Sequence, residues 1–138
     1  MRAEKAVMAL LNAAPWVTAL VGTRIYPPPL PQGVALPALA VEHISTVDLP
    51  RIDAASGVNL VTSRIEVTAI AKTYAAQKDL IEAVRLALMY QHGTFAGVYV
   101  GTILRGSVGP DMRDDDMQVF TQAIDFLVTH HEPTDIPN

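Results

Sequence analysis

Five prolines fall between Tyr26 and Ala38, in the run Pro27-Pro28-Pro29-Leu30-Pro31-Gln32-Gly33 and at Pro37. They divide the N-terminal part of the chain in two. Proline fixes φ and removes a backbone donor, so neither a helix nor a central strand crosses this stretch. Gly22 precedes it, at a position suited to the positive φ that ends a helix. After Pro37 the pattern turns to alternation. The segment therefore reads as a fixed connector between a helix and a sheet.

Ahead of the connector, Val7, Leu10, Leu11 and Ala14 recur at helical spacing, which predicts an amphipathic helix over Arg2 to Ala14. Pro15 suits the first turn of a second, short helix ending at Gly22, with Trp16 packed on the first helix or on the sheet. Arg2 and Lys5 before an apolar run are features of a leader peptide, but Glu4, Asn12 and Pro15 interrupt that pattern. The run is also too short to span a membrane.

Beyond the connector, Pro37 to Thr46 reads as a strand, with Leu39 and Val41 on one face and Glu42 on the other. Val47 to Asn59 reads as a long loop. Leu60 to Lys72 is the clearest strand: Val61, Ile65, Val67, Ala69 and Ala71 alternate with Thr62, Arg64, Glu66 and Thr68. Tyr74 to Tyr90 switches to helical period, with Leu80, Ile81, Val84 and Leu88 as its stripe, Gln77 one turn earlier, and a Glu82–Arg85 pair at i, i+3. Two further strands are expected at Phe95 to Arg105 and Met117 to Thr129. In the first, Val98, Val100 and Leu104 share a face; Gly97 and Gly101 mark bulges or close approaches. In the second, both alternate sets are apolar, so both faces need covering. Gly106 to Asp116 reads as a loop.

These elements predict one α+β domain over residues 1–129, in the order α-β-β-α-β-β, with a mostly antiparallel sheet of about four strands. Residues 130–138 read as a flexible tail.

Composition narrows the function. The chain of 138 residues is 50% hydrophobic and only 17% charged, against about 25% charged in ordinary soluble domains. So few charges on so short a chain leave apolar surface exposed, which marks a partner. A net charge of −4 without a basic cluster argues against tight nucleic-acid binding. The absence of cysteine excludes disulfides, thiolate metal sites and a cysteine nucleophile.

No segment carries a catalytic pattern. Asp111, Asp114, Asp115 and Asp116 lack the spacing of a calcium loop and read as a solvated turn. In His130-His131-Glu132, neighbours on an extended chain point apart. His43 reads as a strand histidine at a core edge or an interface. Ser45, Ser56, Ser63 and Ser107 lack a nucleophile elbow. Gly101 to Gly109 matches no phosphate-binding loop. No catalytic residue, cofactor or metal is expected. A small metal-dependent hydrolase using the Asp run and His130 is the enzymatic alternative.

The order of features carries a resemblance. Leu20-Val21-Gly22-Thr23-Arg24-Ile25-Tyr26-Pro27 is followed by Pro31-Gln32-Gly33 and Pro37-Ala38-Leu39. Then come Arg64-Ile65-Glu66-Val67, Ala83-Val84-Arg85-Leu86-Ala87-Leu88 and Gln122-Ala123-Ile124-Asp125-Phe126-Leu127-Val128. From about Ala3 to Thr129 the chain resembles the tail-completion family of long-tailed bacteriophages and prophages, related in fold to tail terminator and tail-to-head joining proteins. The resemblance implies a structural virion protein at the head–tail junction, assembled in the bacterial cytoplasm. It implies a ring, usually a hexamer, that caps the tail-tube protein, ends tail growth and meets the head connector protein. DNA would pass through without tight binding, and no membrane is involved. A head-side adaptor on a similar fold is the alternative. Sheet edges and helix faces are the expected contacts between subunits. The polar contacts expected at assembly interfaces are Arg51, Asp53, Arg113, Asp114, Asp115 and Asp116, from the two loops.

Overall fold

The computed structural model describes residues 3–49 and 58–133. Helix α1 (Ala3–Ala13) buries Ala3, Ala6, Val7, Leu10 and Leu11, one stripe at helical spacing. Ala14 is extended, and Pro15 then opens α2 (Pro15–Val21) at its first turn. Gly22, at φ +60, ends α2, and its N–H donates to Thr18 O. Trp16 stays about half exposed. Its indole N–H donates to Ala83 O, 3.1 Å away on the third helix, a tie that the sequence pattern does not show.

The connector is stitched at both ends. Arg24 Nε donates to Pro37 O at 2.9 Å, and Leu39 N–H donates to Arg24 O at 3.0 Å. A two-residue strand β1 (Ile25–Tyr26) thereby pairs in parallel with the start of β2 (Ala38–Asp48). The prolines thus lie in a loop closed by those bonds.

The third helix, α3 (Tyr74–Leu88), starts at Thr73, whose side chain accepts from Ala76 N–H at 3.1 Å. Its buried stripe includes Gln77, Leu80, Ile81, Val84 and Leu88 as the periodicity predicts, and the Glu82–Arg85 ion pair forms.

The sheet is larger than the four antiparallel strands expected. Among the described residues, seven strands join: β1, β2, β3 (Val58–Ala71), β7 (Val119–Pro133), β5 (Val98–Val108) and β4 (Gly93–Phe95) in that order, with β6 (Met112–Asp114) also on β7. The four long strands are β2, β3, β5 and β7. They are antiparallel; β1 makes the sheet mixed. The short β4 and β6 fall where one continuous strand and one loop were expected. Ala96 and Gly97, both at positive φ, turn the chain between β4 and β5. Gly97 is thus a hairpin residue. Val47 and Asp48 extend β2, and Val58 and Asn59 begin β3, so the expected loop is shortened from both sides. The C-terminal segment is also shorter than expected: His130 to Pro133 continue β7 against β3, and residues 134–138 lie outside the described residues.

Gly101 does interrupt the ladder, with a register shift between Val100 and Thr102. The extra residue reverses which side chains face inward. Val98 and Val100 are buried, but beyond the bulge Ile103 is buried and Leu104 is exposed, contrary to the expected alternation.

Helices α1 and α3 contact the sheet and one another, and α2 packs on both helices. The core lies between them and the face bearing Val41, Ile65, Val67, Ile124, Phe126 and Val128. The other face carries Arg64, Glu66, Thr68, Ala123, Asp125 and Leu127, all half-exposed. Among the described residues, the helices cover one sheet face, while the connector lies over the other only near Ile70 and Val119.

Candidate functional site

The polar residues expected at interfaces separate into two groups. Arg51 and Asp53 lie outside the described residues. Arg113, Asp114, Asp115 and Asp116 stand on β6 and the turn into β7, all exposed. Asp114 shapes that turn: its Oδ1 accepts from the N–H of Asp116 at 3.0 Å and of Met117 at 3.1 Å. Arg113 Nε lies 2.9 Å from Asp115 Oδ1. Its guanidinium also lies 5.6 Å from the Phe120 ring centroid.

From Phe120 the patch continues onto α3. Tyr74 meets Phe120 edge-on at 6.4 Å, and Lys78 Nζ lies 5.2 Å from the Tyr74 ring. Lys78 also donates to Asp111 Oδ1 and, at 3.0 Å, to Gln122 Oε1. The Asp111 carboxylate raises the Lys78 pKa further above its ordinary value. Gln122 in turn donates to Gly109 O at 2.9 Å. The β6–β7 turn and the first turns of α3 therefore form one surface of alternating charge and aromatic rings. Arg113 lines two clefts, of about 510 and 630 Å³. Lys78, Tyr74 and Phe120 were not among the expected site residues, because their meeting depends on a helix and a strand some forty positions apart.

A third cleft, of about 320 Å³, lies under the connector and is lined by Leu30, Pro31, Val34, Ile70 and Val119 among others. Unlike the two beside Arg113, it is largely apolar.

On the opposite end of the sheet a chain of hydrogen bonds crosses three strands. His43 Nε2 lies 2.7 Å from Thr46 Oγ1, which is 2.8 Å from Ser63 Oγ, which is 2.7 Å from His130 Nε2. His130 Nδ1 lies 3.3 Å from His131 O; a carbonyl only accepts, so that nitrogen is the donor. Ser63 and His130 are each about 1% exposed. The pair is buried within the sheet and ties β3 to β7. His131, on the other face, packs against Tyr99 at 4.7 Å. The neighbours do point apart, as an extended chain requires.

Among the described residues, no three His, Asp or Glu side chains converge as a metal site needs. No helix among them is long and apolar enough to cross a membrane.

The fold is similar to a chain in a structure described as the virion of a native gene transfer agent (GTA) particle. The TM-score is 0.76 and the sequence identity 18%, with 94% of each chain covered. No curated protein matches the sequence. The family model described as tail completion protein gp17 matches residues 5–130, nearly the whole described fold. The chain belongs to the tail completion protein gp17 family.

Proposed function

We propose that the protein is a structural, non-enzymatic component of a phage-like tail that forms a ring on the last layer of tail-tube protein, ends elongation and offers a surface to the head connector. The family match across residues 5–130 carries this proposal. The single chain supports it physically: one sheet face is covered by helices while the other stays half-exposed. Large apolar side chains such as Val47, Tyr90, Met112 and Met117 are also left in water. A hexamer is the expected ring, assembled in the host cytoplasm. The net charge of −4 favours a channel that repels phosphate and lets DNA slide through.

Arg113 and Asp114 to Asp116 are proposed as polar contacts to tube or connector, with Arg51 and Asp53 contributing from the β2–β3 connection. Lys78 and Asp111, an ion pair on the same surface, are proposed with them.

The test is mass by light scattering over a concentration series, with and without tail-tube protein. A discrete ring-sized species in either condition is expected; a monomer in both overturns the proposal. A pull-down against tube and connector separates a tail-side terminator from a head-side adaptor. Charge reversal at Arg113 and Asp114 to Asp116 is expected to reduce tail joining, and unchanged joining removes these residues from the interface.

A further inference from the structure

The long strands leave two open edges. On β2, β1 pairs only with Leu39 and Ala40; on β5, β4 pairs only from Val98 to Val100, and Tyr90 N–H takes Ile103 O. Among the described residues, no other backbone partner lies on the outer side of β2 from Val41 to Asp48 or of β5 from Leu104 to Val108. Each edge also exposes apolar side chains: Ile44 and Val47 on β2, Leu104 and Val108 on β5 are 44–64% exposed. Unpaired edges of this kind are templates for another strand.

The two edges match in height and direction. Ser45 is paired with Arg64, Arg64 with Leu127, and Leu127 with Leu104, so these four residues form one row across the sheet. The next rows run His43, Ile65, Phe126, Arg105 and Val41, Val67, Ile124, Val108. Each row begins on the open part of β2 and ends on the open part of β5. Three antiparallel steps separate β2 from β5, so the two edges run in opposite directions.

A copy of the chain rotated about an axis along the strands, without rising, would therefore set the β5 edge of one subunit beside the β2 edge of the next, at the same level and antiparallel. The helix-covered face would stay on one side throughout. The open part of β2 is acidic, with Glu42 and Asp48, and that of β5 is basic, with Arg105. The signs are opposite, and Arg105 lies near enough to Glu82 of α3 to help lower its pKa. Like charges opposite one another are thus avoided.

We propose that successive subunits join by strand addition, the Leu104–Val108 edge of one copy pairing with the Val41–Val47 edge of the next, to make a continuous sheet around the ring. This rests on the ring proposed above. The interface is head-to-tail, the type that closes into rings, whereas β2 against β2 would give a two-fold dimer.

The lack of native cysteine makes the contact directly testable. The double variant Ser45→Cys/Leu104→Cys is treated with a short bismaleimide whose reach covers a two-residue slip of about 7 Å. Within one subunit the two positions lie about 14 Å apart, three strand spacings, so short-range capture reports the neighbour. A second pair, Glu42→Cys/Ser107→Cys, repeats the test two rows along the strands if the first variant does not fold. The experiment is run on the protein alone and on tail-tube protein, with mass measured in parallel. A ladder of cross-linked oligomers from either double variant, and none from the single variants, is expected. A ring-sized mass without a ladder overturns strand addition and leaves the ring intact. Dimers from Ser45→Cys alone also overturn it, in favour of two-fold pairing. A monomer in both conditions overturns the ring and this contact with it.

Discussion

Ser63 Oγ and His130 Nε2 lie 2.7 Å apart inside the sheet, a hydrogen bond between β3 and β7 that is almost wholly shielded from water. Through Thr46 the same hydroxyl reaches His43 on β2, so one polar chain ties three strands next to the β2–β3 connection. Removing a member from the buried end leaves polar atoms that water cannot rescue. Ser63→Ala is expected to cost about 1–3 kcal/mol, and His43→Ala less, because the His43 end is only half-buried. Urea unfolding of both variants checks the order; a larger loss at His43 contradicts the burial argument.

Gln77 presents the opposite situation. It sits in the apolar stripe of α3, fully buried, and neither amide atom has a hydrogen-bond partner among the described residues. Replacing an unpartnered buried amide by an apolar group of similar length removes its desolvation cost. Gln77→Met is expected to stabilise the fold by about 1 kcal/mol, read from the urea midpoint at unchanged slope. A loss of stability would show that the amide is satisfied by water inside the core.

Glu66 lies between Glu42 and Asp125 in the strand register. Partial burial first, then the two neighbouring carboxylates, raise its pKa above the ordinary 4.5. The folded state therefore holds this proton more tightly than the unfolded chain. Its contribution to stability falls as pH rises from the unfolded value through the raised folded value. Glu66→Gln is expected to be more stable than the parent at neutral pH by roughly 0.5 kcal/mol, the scale of one cross-strand like-charge pair. That advantage should shrink on acidification below the ordinary carboxyl range. Thermal unfolding at neutral and acidic pH measures the difference; an advantage independent of pH rules out the electrostatic cause.

Trp16, the single tryptophan, fastens α2 to α3 through its bond to Ala83 O. Trp16→Phe keeps a ring but loses the donor, at an expected cost of about 1 kcal/mol. In the parent, tryptophan fluorescence should report undocking of α2 from α3. If its transition coincides with the far-ultraviolet dichroism transition, the helices and sheet unfold as one unit.

The elements visible in the sequence are those whose side-chain period is unbroken. The buried stripe of α3 and the alternation of β3 from Val61 to Ala71 are both found where the spacing puts them, because burial on one face repeats at the period of the backbone itself. The connector, Pro15 and Gly22 are legible for a similar reason: each acts on its own φ or its own N–H. Leu104 was misplaced because the bulge at Gly101 shifts the alternation by one residue, and nothing local marks which glycine does so. The β4–β5 turn at Ala96-Gly97 is hidden in the same way, inside an apolar run.

Among the candidate interface residues, exposure of Arg113 and Asp114 to Asp116 followed from their charge. Their neighbours did not. Lys78 and Tyr74 come to that surface only because α3 lies against β7. His130 looked like the start of a polar tail, yet it is core, since pairing with β3 carries β7 on to Pro133.

Local spacing and backbone restriction thus established the long strands, the helices and the breaks between them. Strand order, the choice of the helix-covered sheet face, the buried polar chain and the two matching open edges come from contacts between distant residues. Those contacts depend on hydrogen-bond register, which no residue carries in its own side chain: a shift of one position exchanges the two faces of a strand, and only packing against the neighbouring strands and helices selects between them.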